Sequence, residues 1–180
     1  MSAIEPIQFG TDGLRGRAGH APMEPETLRR VGAALGVLLQ RAGAGGQRRV
    51  LFGNDGRASS SWILESVVQG LMAAEVSAAS VGVVTTPALA LLTASGPYDA
   101  GIMISASHNP AHDNGVKIFG ADGQKLGSDD ERELERLANE LAPESPGDAR
   151  VRTSEQLVLK YEELLGQRFV DLDLTGRKVC

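Results

Sequence analysis

Short apolar runs alternate with amphipathic stretches along this chain. Leucines and a valine recur at helical spacing over residues 26–41, so we expect a helix with one apolar stripe there. Spacing and capping residues predict further helices at 59–75, where Ser59, Ser60 and Ser61 offer caps, after Thr86-Pro87, at 128–141 and at 154–169. Apolar segments predict strands at 49–53, 77–84, 101–104 and 116–119. This alternation predicts a layered α/β/α domain with a mostly parallel mixed sheet.

A polar loop follows the predicted strand at 101–104. Its sequence is SASHNP, from Ser105 to Pro110, and Pro110 pushes the residue before it out of helical conformation. In open α/β sheets ligands bind beyond the carboxyl ends of the strands, on loops held by that scaffold. Ser107 is therefore expected where a substrate would lie.

The segment after this loop is predicted to return as a strand. Asn114-Gly115 has the composition of a tight turn, and residues 116–119 alternate apolar and polar positions. Lys117 is then expected on the same side as the serine loop. Turns by themselves favour Ser, Asn, Pro, Asp and Gly, but two serines, a histidine and a lysine together exceed what a turn requires.

These motifs resemble the active-site segment of the α-D-phosphohexomutase superfamily, which moves phosphate between sugar positions through a phosphoserine. SASHNP is followed by DNGVK at 113–117 and GADGQKL at 120–126. The sequence of the SASHNP motif is most similar to that of the bacterial phosphoglucosamine mutase branch. FGTDGLRG at 9–16 resembles the opening motif of that branch, and GNDGR at 53–57 is a weaker match to a GxDxR loop.

The resemblance implies a domain organisation. Residues 1–170 would be the first domain of a four-domain enzyme, and residues 171–180 would be a linker that enters a strand of a second domain. The polar stretch at 142–148 is either a surface loop or a minor hinge. The remaining C-terminal domains, which would supply a metal-binding loop and the sugar-selecting loops, are expected partners on the same polypeptide.

Residue chemistry and the resemblance together predict the roles of five side chains. A serine hydroxyl needs proton exchange and cationic charge to transfer a phosphoryl group, so Ser107 is the predicted phosphate carrier, with Arg15 and Lys117 as the cations. By resemblance Lys117 and His108 belong to the acid/base apparatus, although His108 is equally well interpreted as a hydrogen-bonding loop residue. Arg15 and Asn109 are the predicted phosphate-binding residues.

A serine phosphate attracts Mg²⁺, which prefers oxygen ligands. The resemblance implies that the phosphate on Ser107 is one metal ligand and that the others lie in the second domain, with a hexosamine 1,6-bisphosphate as activator and intermediate. Asp12, Asp55, Asp113 and Asp122 lie in turn-like sequences where Asp is common, so they are not expected to bind the metal.

Composition narrows the classes of partner. The chain has 42% hydrophobic residues, one Cys and a net charge of -5, with aromatic residues at only 4%, which fits a soluble cytoplasmic domain and disfavours nucleic acid as a partner. No apolar run has the length or flanks of a signal peptide or membrane span, so no membrane partner is expected.

Three alternatives compete with the mutase. A serine hydrolase would need a GxSxG elbow and an opposed histidine, whereas His108 is the immediate neighbour of Ser107 and is expected to point elsewhere. The glycines at 13, 16 and 19 and at 43–46 lack dinucleotide-binding spacing or context. A stand-alone domain that binds a sugar phosphate or a protein without catalysis is the main rival.

We therefore expect the phosphoserine domain of a phosphohexomutase that interconverts glucosamine 6-phosphate and glucosamine 1-phosphate, with a phosphomannomutase/phosphoglucomutase domain as the neighbouring alternative. The isolated chain is predicted to fold without catalysing the reaction.

Overall fold

The computed structural model describes residues 6–42, 46–141, 149, 151 and 153–178. The predicted polar break at 142–148 and the last two residues of the predicted linker, 179–180, lie outside these. Within the described chain the elements are β1 (Leu14–Arg17), α1 (Pro25–Arg41), β2 (Arg49–Asn54), α2 (Ser60–Met72), β3 (Ser77–Val83), α3 (Thr86–Ser95), β4 (Ala100–Ile104), β5 (Asp113–Gly120), α4 (Ser128–Glu140) and α5 (Glu155–Arg168). In this part of the chain no helix is long and apolar enough to span a membrane.

The strands form one mixed sheet in the order β1-β5-β4-β2-β3. Strand β2 pairs in parallel with β3 and β4, whereas β5 pairs antiparallel with β4 and with β1. The antiparallel half arises because β5 returns directly from β4 through a loop, and a parallel return would need a longer crossover. The α/β/α fold with a mixed sheet is confirmed.

Two local predictions were wrong. The sequence predicted no strand at the opening arginine motif, but Leu14–Arg17 forms edge strand β1. Asn114 and Gly115 were expected in a tight turn, but both lie within β5, opposite Gly16 and Arg15 of β1. The chain instead reverses earlier, in the loop that contains Pro110, so that Asn114 and Gly115 are free to pair with β1.

The predicted cap of α2 also differs from the structure. The helix begins at Ser60 with no side-chain cap from Ser59, whose hydroxyl instead accepts a hydrogen bond from Asn114 at 2.8 Å. It ends at Met72, before the predicted residue 75, and Glu75 lies at a left-handed φ of 56°. The helix after Thr86-Pro87 is confirmed, and the Thr85 hydroxyl accepts a hydrogen bond from the Ala88 N–H at 3.4 Å.

Each face of the sheet is covered by helices. Helices α1, α2 and α4 pack on one face, where the buried side chains include Phe52, Ile102, Ile104 and Val116. Helices α3 and α5 cover part of the other face, over Leu51, Met103 and Phe119. The alternation along each strand produces these two layers, and it sends Lys117, which lies between Val116 and Ile118, to the α3 side.

Helices α1 and α2 approach closely through a pair of glycines. A Cβ atom on Gly32 would overlap the carbonyl oxygen of Val67, and one on Gly70 would overlap that of Arg29. Glycine lowers helix propensity, but here it allows the two backbones to touch. The start of α2 lies beside the functional loops described below, since Nδ2 of Asn114 donates to the hydroxyl of Ser59.

Candidate functional site

The site begins as a row of residues across the sheet, at the carboxyl ends of β2 and β4. Arg15 pairs with Gly115, and the N–H of Ser105 donates to the carbonyl of Gly115 at 2.9 Å. The N–H of Asp55 donates to the carbonyl of Ile104 at 3.2 Å, which places Asp55 next to Ser105. Residues distant in sequence therefore meet at one edge of the sheet, as expected for an α/β fold.

Ser107 occupies the centre of the loop that leaves this edge. Its backbone lies at a left-handed φ of 57°, and its side chain is exposed. The N–H of Ser107 donates to the hydroxyl oxygen of Ser105 at 2.9 Å. A left-handed conformation is costly for a residue with a Cβ atom, and such strain persists only where surrounding contacts enforce it.

Arg57 provides the main support of this loop. Its Nη2 donates to the carbonyls of Ser107 and Asn109, each at 2.9 Å. Its Nη1 donates to the carbonyls of Pro110 at 2.5 Å and Asp113 at 2.9 Å. The GNDGR motif includes this arginine, but no role was predicted for it, because nothing local in the sequence shows that it reaches the serine loop.

Asp55 holds Arg57 in turn. Its Oδ2 accepts from Nε of Arg57 at 3.0 Å, and both side chains are largely buried. Burial by itself would raise the pKa of Asp55, but hydrogen bonds from Ser105 and Arg57 and the charge of Arg57 outweigh it and leave the pKa below its ordinary value of 3.8. Asp55 is thus a carboxylate anion that is held in place by its contact with Arg57.

His108 lies beside the serine hydroxyl. Its Nδ1 is 3.3 Å from Oγ of Ser107, so the expectation that the histidine points elsewhere was wrong. The left-handed turn at Ser107 brings the two neighbouring side chains to one side. The position of His108 is therefore compatible with a serine hydrolase, but the sequence contains no GxSxG elbow around Ser107.

Arg15 and Lys117 lie on one face of the sheet and share a carboxylate. Oδ2 of Asp12 is 3.6 Å from Nη2 of Arg15, and Oδ1 of Asp12 is 3.7 Å from Nζ of Lys117. Asp12 is 63% exposed at its side chain, whereas Arg15 and Lys117 are 19% and 23% exposed. Among the described residues no hydrogen bond or ion pair joins either cation directly to Ser107.

Asn109 is held within its own loop, since its Nδ2 donates to Oδ2 of Asp113 at 3.0 Å. Asn114, which carried no predicted role, is fully buried: its side chain accepts from the N–H of Gly115 at 2.8 Å and donates to Ser59.

The structure brings all five predicted side chains to one end of the sheet, in two groups: Ser107, His108 and Asn109 on the loop, and Arg15 and Lys117 on the adjoining strands.

The acidic residues of the site have protein partners. Asp12 binds the two cations, Asp55 binds Arg57, and Asp113 binds Asn109. Oδ1 of Asp122 accepts from the N–H of Gln124 at 2.9 Å. Over the described ranges, no group of three or more His, Cys, Asp or Glu side chains is placed to hold a metal ion. These residues therefore do not form a complete Mg²⁺ site.

Comparisons with known proteins agree with the α/β/α fold. The family model described as phosphoglucomutase/phosphomannomutase, alpha/beta/alpha domain I, matches residues 6–144. A phosphoglucosamine mutase of Koribacter versatilis is 50% identical over 127 residues, which are 71% of this chain and 27% of that protein. A phosphoglucosamine mutase of Cereibacter sphaeroides is 42% identical over 174 residues, 95% of this chain and 39% of that protein.

The crystal structure of a putative phosphomannomutase from Thermus thermophilus is similar in fold, with a TM-score of 0.75 and 28% identity, over 97% of this chain and 38% of that one. The chain thus spans between 27% and 39% of the length of these three relatives.

Proposed function

Since this chain belongs to the phosphoglucomutase/phosphomannomutase family as an α/β/α domain I, we propose that it is the phosphoserine-bearing domain of a mutase that interconverts glucosamine 6-phosphate and glucosamine 1-phosphate. The choice of sugar follows relatives called phosphoglucosamine mutase, at 42% and 50% identity. The observation that carries the proposal is the exposed Ser107 hydroxyl, held beside His108 on a strained loop and next to a face that carries two cations.

Ser107 carries the phosphoryl group in this proposal. When the group moves from Oγ of Ser107 to a sugar hydroxyl, the P–Oγ bond breaks, a P–O bond to the sugar forms, the sugar hydroxyl loses its proton and Oγ gains one. His108, with Nδ1 at 3.3 Å, is placed to give that proton to Oγ. The product is a sugar 1,6-bisphosphate, and transfer of its other phosphate back to Ser107 reverses these steps and completes the isomerisation.

Arg15 and Lys117 bind phosphate oxygens. Arg15 presents a planar fork of N–H groups, and Lys117 is a compact charge that also serves as the second acid/base group. Both already approach an anionic partner, Asp12, whose exposed carboxylate marks where an oxyanion fits between them. Asn109 is the remaining proposed phosphate ligand; its Nδ2 would have to exchange Asp113 for a phosphate oxygen.

Mg²⁺ would bind through the phosphate on Ser107 and neutralise its charge. Among the described residues no group of three or more His, Cys, Asp or Glu side chains is placed to hold a metal ion, so the remaining ligands would come from the rest of the polypeptide. The same holds for the sugar-selecting groups. We accordingly propose residues 1–170 as the domain and 171–180 as its linker to those partners, and a cytoplasmic setting.

The decisive experiment uses the complete endogenous polypeptide that carries this N-terminus. Its intact mass should be well above that of the 180-residue chain, and mass spectrometry should find phosphate on the peptide that contains Ser107. Ser107→Ala should abolish turnover of glucosamine 6-phosphate, whereas Ser61→Ala, which alters an exposed serine outside this loop, should not. Turnover by the 180-residue chain alone would contradict our expectation that it is inactive.

Two outcomes would replace the proposal. A polypeptide that ends at residue 180 and binds sugar phosphates without converting them would be a binding domain. Faster turnover of mannose or glucose phosphates would support the phosphomannomutase/phosphoglucomutase alternative.

A further inference from the structure

The backbone of Ser107 is held on both sides by side chains. Its N–H donates to Oγ of Ser105 at 2.9 Å, and its carbonyl accepts from Nη2 of Arg57 at 2.9 Å. Between these two hydrogen bonds the residue lies at a φ of 57°, a left-handed conformation that is sterically unfavourable for a residue other than glycine. The two contacts account for its persistence, because they fix both peptide groups that flank the Ser107 Cα.

All five N–H groups of the Arg57 guanidinium have acceptors within the protein. Nε donates to Asp55, Nη1 donates to Pro110 and Asp113, and Nη2 donates to Ser107 and Asn109. An arginine side chain has five such donors, so none remains for a phosphate. Arg57 differs in this respect from Arg15, whose only ion pair among the described residues is a long one to the exposed Asp12.

One anion orients Arg57 and lies beside Ser105. Asp55 accepts from Nε of Arg57 at 3.0 Å, and its own N–H donates at 3.2 Å to the carbonyl of Ile104, the residue before Ser105. The Asp55 carboxylate thereby fixes the donor to the Ser107 carbonyl, next to the residue that accepts from the Ser107 N–H.

We propose that Arg57 is a positioning residue, which keeps Ser107 in its left-handed conformation so that Oγ faces outward beside His108. This inference rests on the proposed role of Ser107 as phosphate carrier. Lysine cannot replace Arg57, because an ammonium group has three donors at one point and cannot reach carbonyls spread along the loop.

The test compares Arg57→Lys with Arg48→Lys in the complete protein. Arg48 is a matched control, since it forms an ion pair of 2.8 Å with Asp99 and is 16% exposed, against 12% for Arg57, but it lies before β2 at the opposite end of the sheet. The readouts are kcat, KM and hydrogen exchange of the peptide that spans residues 105–113.

We expect Arg57→Lys to lower kcat by about 10- to 100-fold, with KM changed less than about threefold, because misplacing a reacting group slows chemistry without removing substrate contacts. Hydrogen exchange in 105–113 should become faster. Arg48→Lys should change neither. Unchanged kcat and exchange in Arg57→Lys, or an equal loss of kcat in Arg48→Lys, would overturn the proposal.

Arg57→Gln, which retains two donors, is the second variant if Arg57→Lys does not fold, and the same expectations apply. If neither variant folds while Arg48→Lys does, Arg57 is a folding residue and the proposal is wrong. Ser107→Ala separates the two proposals: retained turnover in that variant would reject the phosphate-carrier role, while hydrogen exchange in the Arg57 variants would still show whether Arg57 holds the loop.

Discussion

Arg15 and Gly115 face each other across strands β1 and β5, and the arginine side chain lies over the position that a Gly115 side chain would occupy. A Cβ atom there would be 2.8 Å from Cγ of Arg15 and 2.9 Å from the carbonyl oxygen of Ser105. The glycine thus leaves the space through which one of the proposed phosphate-binding residues approaches the serine loop.

Gly115→Ala should therefore destabilise the protein by about 1–3 kcal/mol, through overpacking against Arg15 and two backbone carbonyls. Gly10→Ala is the control, because a Cβ atom there would meet only the carbonyl oxygen of Gly13, at an ordinary 3.7 Å. Urea unfolding of both variants measures the difference. Equal stability of the two would show that Arg15 does not constrain Gly115.

Asp55 should make stability depend on acid pH. Its pKa is lower in the folded protein than in the unfolded chain, so its contribution is present above the ordinary value of 3.8 and is lost as pH falls through the folded pKa. Asp55→Asn should be less stable than the parent near neutral pH, and the difference in unfolding free energy between the two proteins should become smaller from about pH 5 downward. Urea titrations at several pH values measure this difference.

Glu133→Gln is the control for that titration. The pKa of Glu133 is also lowered, chiefly by a hydrogen bond from Arg136, but its side chain is 34% exposed, against 22% for Asp55, so about 0.5 M salt should weaken its effect more. The Asp55 effect should persist in that salt. Its disappearance would contradict the buried pairing with Arg57.

Ser107→Gly should be more stable than Ser107→Ala by about 1 kcal/mol, because glycine adopts a left-handed φ without the steric cost of a Cβ atom. Glu75 is the other described residue besides glycine with a positive φ, at 56°, so Glu75→Gly and Glu75→Ala give the matched pair. Thermal unfolding compares the four variants. A difference at Glu75 without one at Ser107 would argue against the strained serine.

Gly70→Ala should lower the free energy of unfolding by at least about 1–3 kcal/mol, since the new methyl group would overlap the backbone of Arg29 where α1 and α2 are in contact. Gly166→Ala in α5 meets no atom within 4 Å and should instead stabilise by up to about 1 kcal/mol through helix propensity. Chemical unfolding of both variants should show changes of opposite sign, and a shared sign would reject the close helix contact.

The amino-acid sequence by itself determined the fold class and the candidate residues of the site. Helical spacing at 26–41 and apolar runs at 49–53 and 77–84 predicted α1, β2 and β3 within a few residues, because these patterns report which face of each element is buried. The SASHNP and FGTDGLRG motifs predicted Ser107, His108, Asn109 and Arg15 as site residues through their resemblance to a known family, and the structure places all four at one end of the sheet.

Only the tertiary structure decided how those residues are held. Asn114-Gly115 has the composition of a turn, yet pairing with β1 draws both residues into β5. Arg57 reaches its acceptors across 50 to 56 residues, and Asp12 lies between two cations from different strands. Local pattern shows which residues are buried and which are polar, but a hydrogen bond between distant segments depends on strand order and register, and these are settled when the whole sheet packs.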